Sequence, residues 1–313
     1  MPRLVNLALA SALALSSSAA FAASSASATL GNFRIQLIDL DPTDGITPSY
    51  SFNSSGRTTL GLATSDGYAG ESDSLSRTRN GTFAFTHAFE SDLANVQAAS
   101  SISSTTLQAS GAAFGSNTTF SANASTGRLS DYYYDGLGGL TLSGRTLAVI
   151  SMDAAVSASA SNGPSCASYY YYCQSTEVAS ASAQLSLTYS YSDAYGSASY
   201  NFRDSLSASA RAVNGGSYWG FQGYDSSGYP IYGYTVVEAA DASEAQSRKL
   251  TVVFTNSTAV SQFGSLYLSA SVNGQATGPL ATVTAAPVPE PQTYALMAAG
   301  LGVVGWMARR RRA

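Results

Sequence analysis

Three carboxylates in the stretch DLDPTDG, at Asp39, Asp41 and Asp44, are the densest acidic group in the chain. Carboxylates this close can share a hard cation such as calcium. An EF-hand loop carries acids or amides at positions 1, 3 and 5, glycine at 6 and glutamate at 12. Here the third Asp comes one residue late, and no Glu follows at the right distance. Pro42-Thr43-Asp44-Gly45 is also a good turn by itself. The stretch therefore reads first as a turn, with calcium held by Asp39, Asp41 and Asp44 as the alternative. No other cofactor is expected.

His87 is the only histidine, so any Ser-His-Asp triad would have to use it. It shares its parity with Phe83, Phe85 and Phe89 in TFAFTHAF, which places it on or at the rim of a strand's inner face. No serine sits in a G-x-S-x-G elbow. There is no G-x-x-x-x-G-K loop and no dinucleotide fingerprint. Glycoside hydrolysis needs only two carboxylates across a cleft. The available acids, Glu71, Glu90, Glu177, Glu238 and Glu244, are scattered with no spacing that selects a pair. The chain thus reads as non-catalytic, with a glycan-active enzyme as the alternative.

Cys166 and Cys173 are the only cysteines, in CASYYYYC. In an oxidising compartment such a pair becomes a disulfide. Closing so short a ring stabilises by roughly 2.5 kcal/mol on the loop-entropy estimate. The spacing is not the C-x-x-C of redox catalysis, and a zinc site needs more ligands than these.

Aromatic residues cluster in DYYYDG (Tyr132 to Tyr134), in the cysteine loop (Tyr169 to Tyr172) and in SYWGFQGYDSSGYPIYGY from Ser217 to Tyr234. Tyr and Trp offer a flat apolar face with a polar tip, which suits sugars and partner surfaces. Tyr218, Trp219, Phe221, Tyr224 and Tyr232 are the candidates for glycan or partner contact. The alternative is that such residues fill sandwich edges and loops.

The elements that must carry these residues are strands. Phe33, Ile35 and Leu37 alternate with polar residues, as do Leu185, Leu187, Tyr189 and Tyr191, then Leu250, Val252 and Phe254, then Leu266, Leu268, Ala270 and Val272. Turn dipeptides punctuate the runs at Asp44-Gly45, Asp66-Gly67, Asn80-Gly81, Asp135-Gly136, Asn214-Gly215 and Asn273-Gly274. No helical periodicity occurs between residues 30 and 285. The fold class is all-β: an antiparallel β-sandwich or jelly-roll-like body of ten or more strands. The Ala- and Ser-dominated stretch 155–183 reads as a weak boundary. Charged residues make up only 11% of the chain, against about 25% on average. Without its two ends the chain has 18 acids and 10 bases, a net −8 against −4 for the whole. With no basic stripe, nucleic acid is not a partner.

The ends are different. Residues 1–22 carry Arg3, an apolar run from Leu4 to Leu15, and Ala20-Phe21-Ala22 as an A-x-A cleavage site. This is a secretory signal peptide with a signal helix, engaging the Sec translocon. The mature chain starts at Ala23, or at Thr29 if the cut follows Ala28. The expected body runs over residues 23–274, as one large or two smaller domains, and a Pro/Ala/Thr linker over 275–287. The last segment, 288–313, is VPEPQTYALMAAGLGVVGWMARRRRA. Its uncharged stretch 293–308 gives a transmembrane helix of about 24 Å, short of the roughly 30 Å hydrocarbon core. Arg309, Arg310, Arg311 and Arg312 hold their end on the cytoplasmic side.

Pro289-Glu290-Pro291, the apolar helix and the arginine cluster together resemble the PEP-CTERM sorting signal of Gram-negative bacteria. The resemblance implies that an exosortase recognises Pro289, Glu290 and Pro291 in the inner membrane, removes the helix and releases the chain towards the cell surface. Members of this group are associated with exopolysaccharide and biofilm matrix, so an extracellular polysaccharide is a further expected partner. The residues alone leave a permanent membrane anchor as the alternative.

Overall fold

A computed structural model describes residues 23–52, 56–115, 117–127, 139–162, 177–193, 196–213, 216–238 and 240–277. The signal helix, the cysteine pair, the DYYYDG run, the sorting motif and the transmembrane stretch lie outside the described residues. Among those described, the chain forms strands and turns only, so none of their segments is a helix long enough to cross a membrane.

The strands are β1 (Ala23–Asp39), β2 (Tyr50–Phe52), β3 (Arg57–Asp66), β4 (Glu71–Asn80), β5 (His87–Leu93), β6 (Val96–Ile102), β7 (Leu107–Phe114) and β8 (Thr118–Gly127). They continue with β9 (Leu140–Leu142), β10 (Thr146–Ser161), β11 (Val178–Asp193), β12 (Gly196–Arg211), β13 (Gly216–Tyr224), β14 (Pro230–Val237), β15 (Ala242–Asn256) and β16 (Gln262–Ala276). One sheet has the order β15-β10-β1-β7-β6-β5; the other has the order β12-β11-β16-β8-β3-β4, with short β9 joining β16 to β2. Every pairing is antiparallel. The sheets stack face to face: β1 lies over β16 and β11, β10 over β11 and β12, and β7 over β8 and β16. A single buried cluster fills the space between them. The body reaches Ala276, two residues beyond the expected boundary at 274.

Alternation explains the composition. Along β10, Ala148, Ile150, Met152, Ala154, Val156, Ala158 and Ala160 are all buried, while Ser157 and Ser159 face out. In β11 the inward set is Ala179, Ala181, Ala183, Leu185, Leu187 and Tyr189. The described parts of the Ala/Ser stretch 155–183 are therefore strand ends and not a boundary. Alanines on both sheets face each other at one end of the sandwich; Leu, Ile, Met and Phe fill the other. Small side chains fill a thinner layer, so the sheets can approach more closely at the alanine end.

One large ring interrupts that thin end. Phe120 is buried, and a methyl group built on Gly111 would lie 2.1 Å from its ring, one on Gly274 2.3 Å. Two glycines on opposite sheets thus make the slot that the ring occupies, and burying it stabilises by roughly 2–3 kcal/mol. This corrects the reading of Asn273-Gly274 as a turn: both residues lie inside β16.

β1 changes face part-way. Gly31 pairs with Asp153 and Arg34 with Ser151, so β1 carries one extra residue there, a β-bulge. Asn32 takes φ 55 and donates from Nδ2 to Asp153 Oδ2 at 2.8 Å. Before the bulge Ser24, Ala26, Ala28 and Leu30 face the core; after it Phe33, Ile35 and Leu37 do.

The sandwich closes along the seam between edge strands β12 and β15 with side chains instead of a backbone ladder. Asp204 accepts from Arg248 Nη2 at 2.6 Å and from the Thr251 amide at 2.8 Å. Arg248 also donates to the Ser205 carbonyl at 2.7 Å, and Glu244 accepts from the Ser209 amide at 2.8 Å. Each edge thereby satisfies backbone groups of the other, which an open edge leaves free to pair with another chain. The Arg248 contact, then the Thr251 amide, hold the Asp204 carboxyl below its ordinary range despite burial. The Ser209 amide and then Gln246 do the same for Glu244. Elsewhere Asp66 is buried at the end of β3. Burial opposes its ionisation, but amides of Ala69 and Tyr68 and the Asn95 side chain outweigh it and lower its pKa.

Two outcomes follow. Removing Ala23–Ala28 would strip β1 of residues paired with β7 on one side and β10 on the other, including buried Ser24, Ala26 and Ala28. N-terminal sequencing of the exported protein is expected to begin at Ala23; a start at Thr29 would contradict this fold. Carboxyls with lowered folded pKa add stability above their unfolded pKa, and that stability is lost as pH falls through the folded value. Stability should thus fall below about pH 4. Asp204→Asn should cost about 1 kcal/mol in denaturant melts at pH 7 and weaken this acid dependence. An unchanged melt and acid profile would contradict the role of the seam.

Candidate functional site

Between β12 and β15 the chain leaves the sandwich as a separate ribbon. A bridge between Val213 and Ala240 closes its base, and β13 and β14 pair with each other and with no strand of either sheet. Asp225 builds the tip. Its carboxylate accepts from the amides of Ser227 at 2.8 Å and Tyr229 at 2.9 Å, and its carbonyl accepts from the Gly228 amide at 3.0 Å. Gly228 sits at φ 83, in the left-handed region that glycine enters without penalty.

The register decides which aromatics meet. Phe221 pairs with Tyr232, and two residues along each strand Trp219 pairs with Tyr234. An irregularity between Phe221 and Gly223, with Gly223 at φ 136, shifts the phase so that Tyr224 comes opposite Pro230. Tyr224 thereby joins Phe221, with ring centroids 5.0 Å apart and planes at 68°. Tyr232 meets Phe221 at 6.0 Å and 69°. Edge-to-face rings attract through their quadrupoles. All three are exposed: Phe221 at 53%, Tyr224 at 69% and Tyr232 at 55%.

Of the five contact candidates, the structure brings Phe221, Tyr224 and Tyr232 together. Tyr218 pairs with Thr235, one residue out of phase with them, and Trp219 continues the Phe221 parity. Tyr229 and Ile231 are also exposed on the ribbon. Their place beside the Ser-Gly turn is the sequence signal that marks them.

The acidic stretch folds as successive turns. Asp39 Oδ1 accepts from the Asp41 amide at 2.9 Å, Asp41 Oδ1 from the Thr43 hydroxyl at 2.7 Å, and Asp44 Oδ1 from the Ile46 amide at 2.7 Å. Each carboxylate thus binds its own chain two residues on. The Thr43 hydroxyl and then its amide lower the Asp41 pKa. Among the described residues no three His, Cys, Asp or Glu side chains are grouped to hold a metal ion.

His87 opens β5 at the rim of the inner face, half-buried, its ring 4.8 Å from Phe89 and 6.4 Å from Phe85. The strand starts only there. Ahead of it the amides of Phe83 and Ala84 donate to the hydroxyls of Thr126 and Thr58 at 2.7 and 3.0 Å. Phe83 and Phe85 still pack against the core from that loop. The five glutamates sit on different elements: Glu71 on β4, Glu90 on β5, Glu177 just before β11, Glu238 just after β14 and Glu244 on β15. A depression of about 460 Å³ on the outer face of the β16 sheet is lined by Ser65, Thr119, Ser121, Asn273, Gln275 and apolar neighbours, with no titratable side chain.

The remaining feature lies beyond the body. A model of the PEP-CTERM protein-sorting motif matches residues 287–312. The chain carries a PEP-CTERM sorting signal. The match contains Pro289-Glu290-Pro291, the apolar stretch and Arg309 to Arg312, and implies export with processing by an exosortase from a membrane-anchored precursor. It covers the tail and leaves the sandwich without a matching family. No curated protein and no solved structure matches the chain.

Proposed function

We propose that this chain is an exported, non-catalytic cell-surface or biofilm-matrix protein that contacts extracellular polysaccharide. In this reading the signal peptide and Sec translocon carry it across the inner membrane. The sorting tail holds it there until exosortase cuts, and the β-sandwich is then released as a rigid carrier. The working surface is the ribbon of β13 and β14.

One observation carries the contact reading: Phe221 touches both Tyr224 and Tyr232, and all three rings stand exposed on a two-stranded arm that joins neither sheet. Apolar rings held in water are unfavourable unless they meet something. The hydrophobic C–H faces of pyranose rings and the hydroxyls around them match the face and tip of tyrosine. The sandwich supplies rigidity: a seam-closed body with small polar side chains on its outer faces resists edge-to-edge pairing.

The reading is checked by affinity electrophoresis in gels containing the producing organism's own matrix polysaccharide. The exported protein should be retarded. The variant Phe221→Ala, Tyr224→Ala, Tyr232→Ala should lose at least tenfold in affinity, about 1.4 kcal/mol, with an unchanged melting temperature. Equal retardation of parent and variant, or none of the parent, would remove the proposal.

A further inference from the structure

The charge and ring geometry of the ribbon narrow what it can hold, on the reading that it contacts a glycan. From Ala212 to Ser247 the chain has no Lys, Arg or His, while Asp225, Glu238, Asp241 and Glu244 are all acidic. The ion pairs Arg248–Asp204 and Lys249–Asp153, and the Arg77 guanidinium 5.0 Å over the Phe85 ring, all belong to the sandwich. A polymer bearing carboxylate, phosphate or sulfate at every repeat would find no cation on the arm to pair with. At the tip it would also meet the like charge of Asp225. Asp225, the one carboxylate from β13 through β14, is engaged by the Ser227 and Tyr229 amides, so no row of acids waits for a repeating amine either.

Ring orientation adds a second limit. Tyr224 and Tyr232 are tilted 68° and 69° from the plane of Phe221. A flat crystalline sugar surface can lie face-on against rings that share a plane. Because Phe221 shares a plane with neither tyrosine, such a surface cannot lie face-on against all three rings. A single glycan chain that turns from one residue to the next can present a pyranose C–H face to each ring in its own orientation.

We infer that the β13–β14 ribbon binds a single, soluble, uncharged polysaccharide chain, stacking successive pyranose faces on Phe221, Tyr224 and Tyr232, and rejects both polyanionic and crystalline glycans. The test uses the exported protein with four probes. Xyloglucan (neutral and soluble), alginate (polyuronate) and chitosan (amino sugar) are used in affinity gels, and microcrystalline cellulose in a pull-down. The parent should be retarded by xyloglucan, with at least tenfold weaker binding to alginate and no ring-dependent binding to chitosan or cellulose. The triple alanine variant should lose the xyloglucan retardation. Ser226→Lys, which adds a cation at the exposed tip, should gain alginate binding while keeping that for xyloglucan.

Ring-dependent binding of the parent to alginate, chitosan or cellulose in preference to xyloglucan would overturn the inference while leaving glycan contact intact. Binding to none of the four, and to no matrix polysaccharide of the producing organism, would remove the contact reading and this inference together.

Discussion

The structure depends on where the first and last strands lie. β1, which opens the body at Ala23, is the third strand of its sheet, with β10 on one side and β7 on the other. β16, which ends it at Ala276, lies between β11 and β8 in the facing sheet, and the two strands pack against each other across the core. Without β1 one sheet separates into β15-β10 and β7-β6-β5. Without β16 the other separates into β12-β11 and β8-β3-β4. The sandwich can therefore close only when the chain is present from end to end, a long-range requirement that makes such folds slow to form. For an exported protein, closure awaits release of Ala276 on the far side. The targeting segments lie outside both limits, so their removal leaves every ladder intact.

A chain so poor in charge and large apolar residues holds together by economy of size. Alanine inside and serine outside is the commonest rung, and the outward hydroxyls bond across strands. Ser27 meets Ser157 at 2.8 Å, Ser182 meets Ser271 at 2.8 Å, and Ser180 meets Asn273 at 2.9 Å. Three charged residues, Asp204, Arg248 and Glu244, sit where backbone would otherwise be open, along the β12–β15 seam. On the ribbon, exposed Phe221, Tyr224, Tyr229, Ile231 and Tyr232 lie close together, in contrast to the serine-lined outer faces of the long strands.

Much of this was legible in the chain. Leu185, Leu187 and Tyr189, or Leu250, Val252 and Phe254, alternate with enough contrast to declare strands and their inward face. The tail shows a short apolar stretch ending in arginines, and its sorting role came from the likeness of the whole segment to the PEP-CTERM signal. Other features were hidden for physical reasons. Ala154 to Ala160 alternate with serine, a contrast too small to separate a buried strand from a linker. Gly274 looks like half of a turn because its ring partner, Phe120, lies far away in sequence. The seam of Asp204, Arg248 and Glu244 and the phase shift at Asn32 arise from tertiary contacts that no local pattern encodes. The aromatic ribbon was visible as composition, but the grouping of Phe221, Tyr224 and Tyr232 waits on the irregularity before Gly223.

Amide hydrogen exchange on the exported protein tests the central claim, that β1 and β16 are the keystones of a closed body and the ribbon stands apart from it. The account predicts the slowest exchange in the inner halves of β1 and β16, with β13 and β14 exchanging orders of magnitude faster. Fast exchange along β1 or β16, or ribbon amides as slow as those two strands, would contradict it.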